Sequence, residues 1–196
     1  MIDEALEYVK SLLEKYNITS ENWYYYHNWF HTKSVFDEAT KLADKYNLSP
    51  EEKEILQLAA IFHDTGFIKS YDNNEPIGAE IAEEWLTSKW YDKDKIALIK
   101  KLILATQYTY KPQTLLEELM KMSDFSNVYN GEFFEKGDDL RKELEVLKNE
   151  TFTDQEWLSR QKNLISYLLS ITNKETENYK KLLILQDQID KKLKAL

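Results

Sequence analysis

The stretch from residue 49 to residue 66 reads SPEEKEILQLAAIFHDTG. It opens with a capping box and has proline at the first helical position, which predicts that a helix starts at Pro50. This helix is apolar on nearly every side from Ile55 to Phe62, and such a helix is buried. Gly66 is well placed to terminate it. The segment therefore predicts a fold built around a buried central helix.

Two ionisable residues, His63 and Asp64, stand at the end of this buried helix. Burying a polar group without a partner costs on the order of 2–7 kcal/mol, and burying a charge costs more. We therefore expect both side chains to have polar partners or to bind a metal ion.

The rest of the chain is also predicted to be helical. Glycine and proline are scarce, with four and three residues, whereas a β-rich protein needs frequent turns. Asn130, Gly131 and Gly137 predict a loop over 126–137. Apolar spacing predicts further helices at about 3–16, 28–46, 76–88, 92–106, 113–122, 138–149, 154–171 and 174–194. The last helix carries an apolar stripe and should pack against the protein; the stripe comprises Tyr179, Leu182, Leu185, Ile189 and Leu193. We expect a single all-α domain over 1–196, with a core at about 20–130 and a C-terminal helical extension at about 131–196.

Composition excludes several functional classes. The formal net charge of −9 does not suit a protein that binds polymeric nucleic acid, which needs clustered lysine and arginine. The absence of cysteine rules out disulfides and thiolate metal sites, and it fits a cytoplasmic location. We expect no signal peptide, because the first residues include early acids and no apolar run of secretory length. We expect no membrane span, because no stretch of about 18 apolar residues occurs.

The three histidines are His27, His31 and His63. His27 and His31 are four residues apart and would share one face of a continuous helix. Imidazole and carboxylate ligands suit Mn, Fe, Co, Ni or Zn better than calcium. A lone histidine is more often a surface residue or a hydrogen-bonded core residue, so spacing alone leaves a ligand role open.

Three segments together resemble the HD superfamily of metal-dependent phosphohydrolases: YHNWFHT at 26–32, AIFHDTG at 60–66 and MSD at 122–124. The order of a histidine, a His-Asp step and a distant aspartate defines that superfamily. The resemblance implies an HD-domain helical bundle with flanking helices. It also implies one divalent metal ion (Mn, Fe, Co, Ni, Zn or Mg), held by His31, His63, Asp64 and Asp124.

The first segment also resembles the start of the catalytic domain of class I cyclic-nucleotide phosphodiesterases. There the first histidine of the motif protonates the leaving alkoxide, which makes His27 the implied general acid. The alternative for His27 is a residue that orients His31 or bonds the backbone. Asp64 would both bind the metal ion and orient the attacking water, and these two residues are the predicted catalytic groups.

The resemblance has departures that favour one metal ion. Phe67 stands where the phosphodiesterases have a further histidine, and Asn74 and Thr106 stand near the histidines of binuclear members. Glu75 is a candidate for a contact to water or to the metal ligands, or it is a helix N-terminal acid. Lys33 and Lys69 are candidates for phosphate binding because they lie close to the motifs along the chain.

The resemblance covers about residues 24–170 and extends to bacterial HD-domain proteins found beside nucleotide-signalling modules. The function it implies is metal-dependent hydrolysis of a nucleotide-type phosphoester, with a cyclic nucleotide or another phosphodiester among the candidates. The alternatives are a nucleoside monophosphate phosphatase and a catalytically silent nucleotide-binding sensor. The expected partner is a small-molecule phosphoester, with no polymeric nucleic acid and no membrane.

Overall fold

Helix α3 (Pro50–Phe62) is the central helix of the computed structural model, which describes residues 1–196. Its capping box is formed: the Glu52 carboxylate accepts a hydrogen bond from the backbone N–H of Ser49 at 2.9 Å, and Ser49 Oγ accepts one from Glu52 N–H at 3.2 Å. Every residue of α3 from Leu58 to Phe62 is fully buried. The predicted buried helix is therefore confirmed.

The fold is all-α, as predicted, with 73% of the residues in helices and no strands. Besides α3, the helices are α1 (Ile2–Lys15), α2 (Trp29–Lys45), α4 (Asn74–Ser88), α5 (Lys93–Leu104), α6 (Leu115–Asp124), α7 (Ser126–Tyr129), α8 (Phe133–Leu147), α9 (Asp154–Ile171) and α10 (Glu177–Lys194). None of them has the length and apolar character that crossing a membrane requires.

The chain divides into two compact units, Met1–Ser126 and Asn127–Leu196. In the first unit, helices α1, α2, α4, α5 and α6 all pack against α3. A helix with neighbours on every side needs apolar residues on every side, which explains the composition of α3. The single domain over 1–196, with its core at 20–130 and extension at 131–196, stays a prediction.

In the second unit, α9 and α10 pack against each other. The apolar stripe of α10 is buried at Leu182, Leu185 and Ile189. An ion pair between Lys162 of α9 and Asp190 of α10, at 2.5 Å, lies beside this contact. The last helix is therefore packed within its unit, as the stripe predicts.

The loop expected at 126–137 is wrong for most of its length. Residues 126–129 form α7, and α8 begins at Phe133 and runs through Gly137. A Cβ atom at Gly137 would lie 2.3 Å from Nε2 of Gln161. This glycine therefore allows close packing against α9. In the sequence, a glycine that allows close packing looks the same as a glycine in a turn, which is why a loop was predicted here.

Gly66 does not end α3 in the way expected. The helix stops at Phe62, and Gly66 lies in a 3-10 turn, Thr65–Ile68, without a positive φ. A Cβ atom at Gly66 would lie 1.8 Å from the backbone oxygen of Asn74. Only glycine lets this turn lie so close to the N-terminus of α4.

Candidate metal centre

The N-terminus of α2 is held by the buried side chain of Asn28. Its Oδ1 accepts hydrogen bonds from the backbone N–H groups of Phe30 at 2.9 Å and His31 at 3.4 Å. Its Nδ2 donates to the backbone oxygens of Tyr24 at 2.8 Å and Tyr25 at 3.1 Å. This N-cap fixes where the helix begins and therefore places His31 in the first helical turn.

The C-terminus of α3 orients His63. Its Nδ1 lies 2.8 Å from the backbone oxygen of Ala60, which is an acceptor, so in the neutral ring Nδ1 carries the proton and Nε2 keeps the lone pair that can bind a metal ion. The hydroxyl of Thr65 donates to the backbone oxygen of Phe62 at 2.7 Å and holds the chain as it leaves the helix. Asp64 lies between these two contacts and is largely buried.

Asp124 is the last residue of α6, a helix that packs against both α2 and α3. Its Oδ1 lies 3.3 Å from Nε2 of His31 and 3.5 Å from Nε2 of His63. Two helix C-termini and one helix N-terminus therefore meet at one point, although the residues concerned are far apart in the chain.

Four side chains converge at this point. The Nε2 atoms of His31 and His63 are 3.3 Å apart. Oδ2 of Asp64 lies 3.3 Å from the nitrogen of His31 and 3.1 Å from that of His63. The donor atoms of His31, His63 and Asp124 all lie within 4.8 Å of one another, and this group could hold a metal ion.

These separations fit the edges of one coordination shell. Donor atoms bound at about 2.1 Å to a single ion lie about 3.0 Å apart at a right angle and about 3.4 Å apart at the tetrahedral angle. Oδ2 of Asp64 is buried and makes no hydrogen bond, which is costly unless a cation binds there. Two imidazole nitrogens with two carboxylate oxygens suit a divalent transition metal. The residues present therefore fit the ion that the sequence implies.

Electrostatics bind this group together even without an ion. Burial by itself lowers the pKa of His63, but Asp64 and Asp124 outweigh it and hold that pKa well above its usual value. Burial by itself raises the pKa of Asp64 and of Asp124, but the neighbouring histidines hold both below their usual range. A divalent ion would take the place of the histidine proton as the positive charge between the carboxylates.

His27 lies beside the four side chains and not among them. Its ring centroid is 6.0 Å from that of His31 and 4.3 Å from that of Phe67, on which it stacks at 30°. Its charge contributes to lowering the pKa of Asp64. His27 is therefore near enough to act on a group bound at the centre without being a ligand.

The three other predicted binding residues differ in their surroundings. Glu75 is half-buried in the first turn of α4, where burial, Asp64 and Asp124 raise its pKa. Lys33 forms an ion pair with Asp37 at 2.6 Å, one turn further along α2. Lys69 is exposed. Glu75 therefore interacts electrostatically with the centre.

Lys121 is the charged residue that sequence reasoning missed. It is 2% exposed, and its ammonium donates to the backbone oxygens of Ala105 at 3.2 Å, Gln107 at 2.7 Å and Tyr110 at 3.0 Å. Burial lowers its pKa to about 8, although Asp124 opposes the shift. Lys121 thus holds the segment after α5 against α6, one turn before Asp124.

Comparison with known families agrees with this geometry. The family model for the HD domain matches residues 28–125, which is half of the chain. The chain belongs to the HD domain family. The part that matches the HD domain includes His31, His63, Asp64 and Asp124, whereas His27 lies one residue before it. Searches of the curated proteins and of the solved structures gave no match.

Phe67, Asn74 and Thr106 are the three positions at which a second metal ion would need histidine ligands. Phe67 is buried, and Oγ1 of Thr106 donates to the backbone oxygen of Ile103 at 2.8 Å. Oδ1 of Asn74 is buried without a hydrogen-bond partner. The expectation of a single metal ion stays a prediction.

Proposed function

We propose that this HD-domain protein is a metal-dependent phosphohydrolase that acts on a nucleotide-type phosphoester. Four donor atoms at the ends of three helices carry the proposal: two histidine nitrogens 3.3 Å apart, with an oxygen of Asp64 and an oxygen of Asp124 each 3.1–3.5 Å from both nitrogens. Membership in the HD family supports hydrolysis of a small phosphoester in general. The ligands would be the four convergent residues His31, His63, Asp64 and Asp124.

When bound, a divalent ion would lower the pKa of a bound water and polarise a phosphoryl oxygen. Asp64 has two tasks in this proposal: Oδ2 helps to hold the ion, and the carboxylate accepts a hydrogen bond that orients the attacking water. Its depressed pKa keeps it ionised at neutral pH, as both tasks require. The hydrogen bond from His63 to Ala60 keeps the His63 ring in the tautomer that can bind metal.

His27 is the proposed proton donor. As the bond from water oxygen to phosphorus forms and the bond to the leaving oxygen breaks, His27 gives its proton to the leaving alkoxide. The water loses one proton to solvent, and His27 is reprotonated from solvent. A positioned general acid contributes about 10²–10⁴ to the rate, and most when the leaving group is a poor one.

A second candidate is a catalytically silent sensor that binds a nucleotide at the same centre. It is supported by Phe67 and Asn74, which stand where catalytic relatives carry histidine. The monophosphatase alternative uses the same ligands but a different substrate. One panel of substrates separates the three functions.

The panel contains cyclic nucleotides, linear nucleotides and nitrophenyl phosphomonoesters and diesters, each assayed with Mn²⁺ and other divalent ions. Turnover of diesters supports the favoured function, and turnover of monoesters alone supports the monophosphatase. Nucleotide binding without turnover of any substrate would support the sensor and refute hydrolysis.

The variant His27→Ala tests the proposed acid. It should retain the metal ion, lose about 10²–10⁴ in turnover of an alkyl-leaving ester, and lose much less with nitrophenolate, which departs without a proton. Asp64→Asn is the matched control, since it should reduce turnover of both substrates alike. Equal losses in His27→Ala would contradict acid catalysis and indicate substrate positioning instead.

A further inference from the structure

The imidazole of His27 is packed face to face on a buried phenyl ring. The centroids of His27 and Phe67 are 4.3 Å apart and the ring planes are inclined by 30°. Phe67 is 5% exposed and lies in the 3-10 turn that follows Asp64. Its backbone N–H donates to the backbone oxygen of Asp64 at 3.2 Å. The turn that carries the Phe67 ring is therefore bonded to the backbone of Asp64.

Two tyrosines also contact this stacked pair. Tyr71 meets Phe67 edge-on at 5.1 Å and meets His27 edge-on at 5.9 Å. Tyr26 meets the His27 ring edge-on from another direction, with centroids 4.8 Å apart. Phe67 contacts one face of the imidazole, and the tyrosines contact it through edge-on geometry. Such aromatic pairs have preferred geometries and therefore orient a ring as well as bury it.

The helical backbone of α2 does not set the position of the His27 ring. Asn28 is the N-cap of α2, so His27 lies outside the helical backbone. A general acid must lie about 2.6–3.2 Å from the atom it protonates. A displacement of about 1 Å at a reacting group can reduce a rate about 10²-fold.

We propose that Phe67 is a positioning residue, which holds the His27 imidazole by stacking in the orientation from which it protonates the leaving group. The catalytic part of this inference rests on the proposed function, whereas the placement of the ring is a property of the protein alone. Phe67 thus has a role of its own at a position first noted for lacking a histidine ligand.

The first test compares two substitutions at this position. Phe67→Leu keeps an apolar side chain but removes the ring, and Phe67→Tyr restores a ring. The readout is the ratio of kcat for an alkyl-leaving ester to kcat for a nitrophenyl ester, because the fraction of folded protein cancels from the ratio. Phe67→Leu should lower this ratio by about 3-fold to 100-fold, the range between a lost aromatic contact and a misplaced acid. Phe67→Tyr should leave it within about 2-fold of the wild type.

Two controls separate positioning from general destabilisation. Trp85→Leu removes a buried aromatic ring of the same unit, one that contacts the rings of Tyr8 and Phe62. It should lower stability but leave the ratio unchanged. In a protein that already carries His27→Ala, Phe67→Leu should not change the ratio further, because the acid it positions is gone.

The second test does not depend on turnover. The chain has only three histidines, so their imidazole C–H signals can be assigned by NMR. Stacking on Phe67 should shift the His27 signals upfield through the ring current. Phe67→Leu should remove that part of the shift, and Phe67→Tyr should retain it, in protein as purified and with diamagnetic Zn²⁺ added.

The outcomes distinguish this inference from the proposed function. An unchanged His27 signal, or an unchanged substrate ratio, in Phe67→Leu would overturn the positioning role while leaving hydrolysis intact. A wild-type protein that turns over no substrate would refute the proposed function and the catalytic role of Phe67 with it. A lower ratio together with a lost upfield shift is the result we expect.

Discussion

The turn at Gly66 lies so close to the first residue of α4 that we expect Gly66→Ala to destabilise the protein. A Cβ atom at this position would lie 1.8 Å from the oxygen, 2.6 Å from the carbonyl carbon and 2.9 Å from Cα of Asn74. All three atoms belong to the backbone, so no side-chain rotation can relieve the contact. The turn and α4 must separate instead.

The size of this separation sets the expected loss of stability. Real Cβ atoms essentially never approach closer than 3.0 Å, so the Asn74 oxygen must move by at least about 1.2 Å relative to Gly66. Overpacking that forces backbone shifts costs typically 1–3 kcal/mol and occasionally more, and we expect about 3 kcal/mol here. For a chain of this size, that loss lowers Tm by about 6–12 °C. Metal affinity should fall too, since Asp64 directly precedes this turn.

Gly137→Ala is the matched control, because it makes the same chemical change inside α8. Its Cβ would meet Nε2 of Gln161, which is the end of a flexible side chain. Alanine is favoured over glycine within a helix by about 1 kcal/mol, which offsets the movement of Gln161. Thermal unfolding by circular dichroism should therefore show Tm within about 2 °C of the wild type. A Gly66→Ala protein with the Tm and metal affinity of the wild type would show that the contact between this turn and α4 is not tight.

Three further predictions follow from the site and from the second unit. Asn28→Ala should destabilise the protein by about 1–2 kcal/mol in urea unfolding and weaken Mn²⁺ binding, because the cap that positions His31 is lost; unchanged Mn²⁺ affinity would contradict this. The pKa of His63 is raised in the folded protein, so protonation of His63 stabilises the metal-free fold. This stabilisation is complete below about pH 6.5 and is lost as the pH rises through the folded-state pKa. Tm of the metal-free protein should therefore fall between pH 6.5 and pH 8.5, and added Zn²⁺ should remove the fall; a Tm that rises over this interval without metal would count against the assignment. Deleting residues 174–196 should give a less stable or aggregating protein, since each large side chain that α10 fully buries contributes roughly 1.5–3 kcal/mol; an unchanged Tm would show that the helix is dispensable.

Local rules predicted the elements that bring the centre together. The capping box at Ser49 and the apolar run up to Phe62 defined α3, because both are short-range patterns. The position of His63 and Asp64 at its buried end then required partners. Their convergence with Asp124 depends on the packing of α6 against α3, which no local pattern encodes. Only the order of the motifs indicated it.

The charged residues of α6 show where sequence patterns mislead. Glu117, Lys121 and Asp124 share one face of the helix, and such a charged face is typical of contact with solvent. Here Glu117 is 0% exposed and Lys121 2% exposed. Backbone oxygens satisfy Lys121, and Lys101 pairs with Glu117 at 2.8 Å. These partners come from elsewhere in the chain, so the spacing along α6 could not reveal them.

The contact between Phe67 and His27 could not be predicted from the sequence either. From the sequence, it is a position without a ligand, because a motif comparison describes only what is missing. The structure supplies the contact with His27 that gives the ring a task of its own. Ring stacking depends on the three-dimensional path of the chain between the two residues and is invisible in their spacing.

Anomalous diffraction can locate a metal ion at the ends of α2, α3 and α6. A crystal soaked in excess Mn²⁺ should give one strong anomalous peak bounded by the side chains of His31, His63, Asp64 and Asp124, and the peak should vanish in Asp64→Asn. The absence of a peak there would show that these four residues do not bind Mn²⁺. Two peaks about 3.5–4 Å apart, the usual separation in two-metal sites, would contradict the single ion.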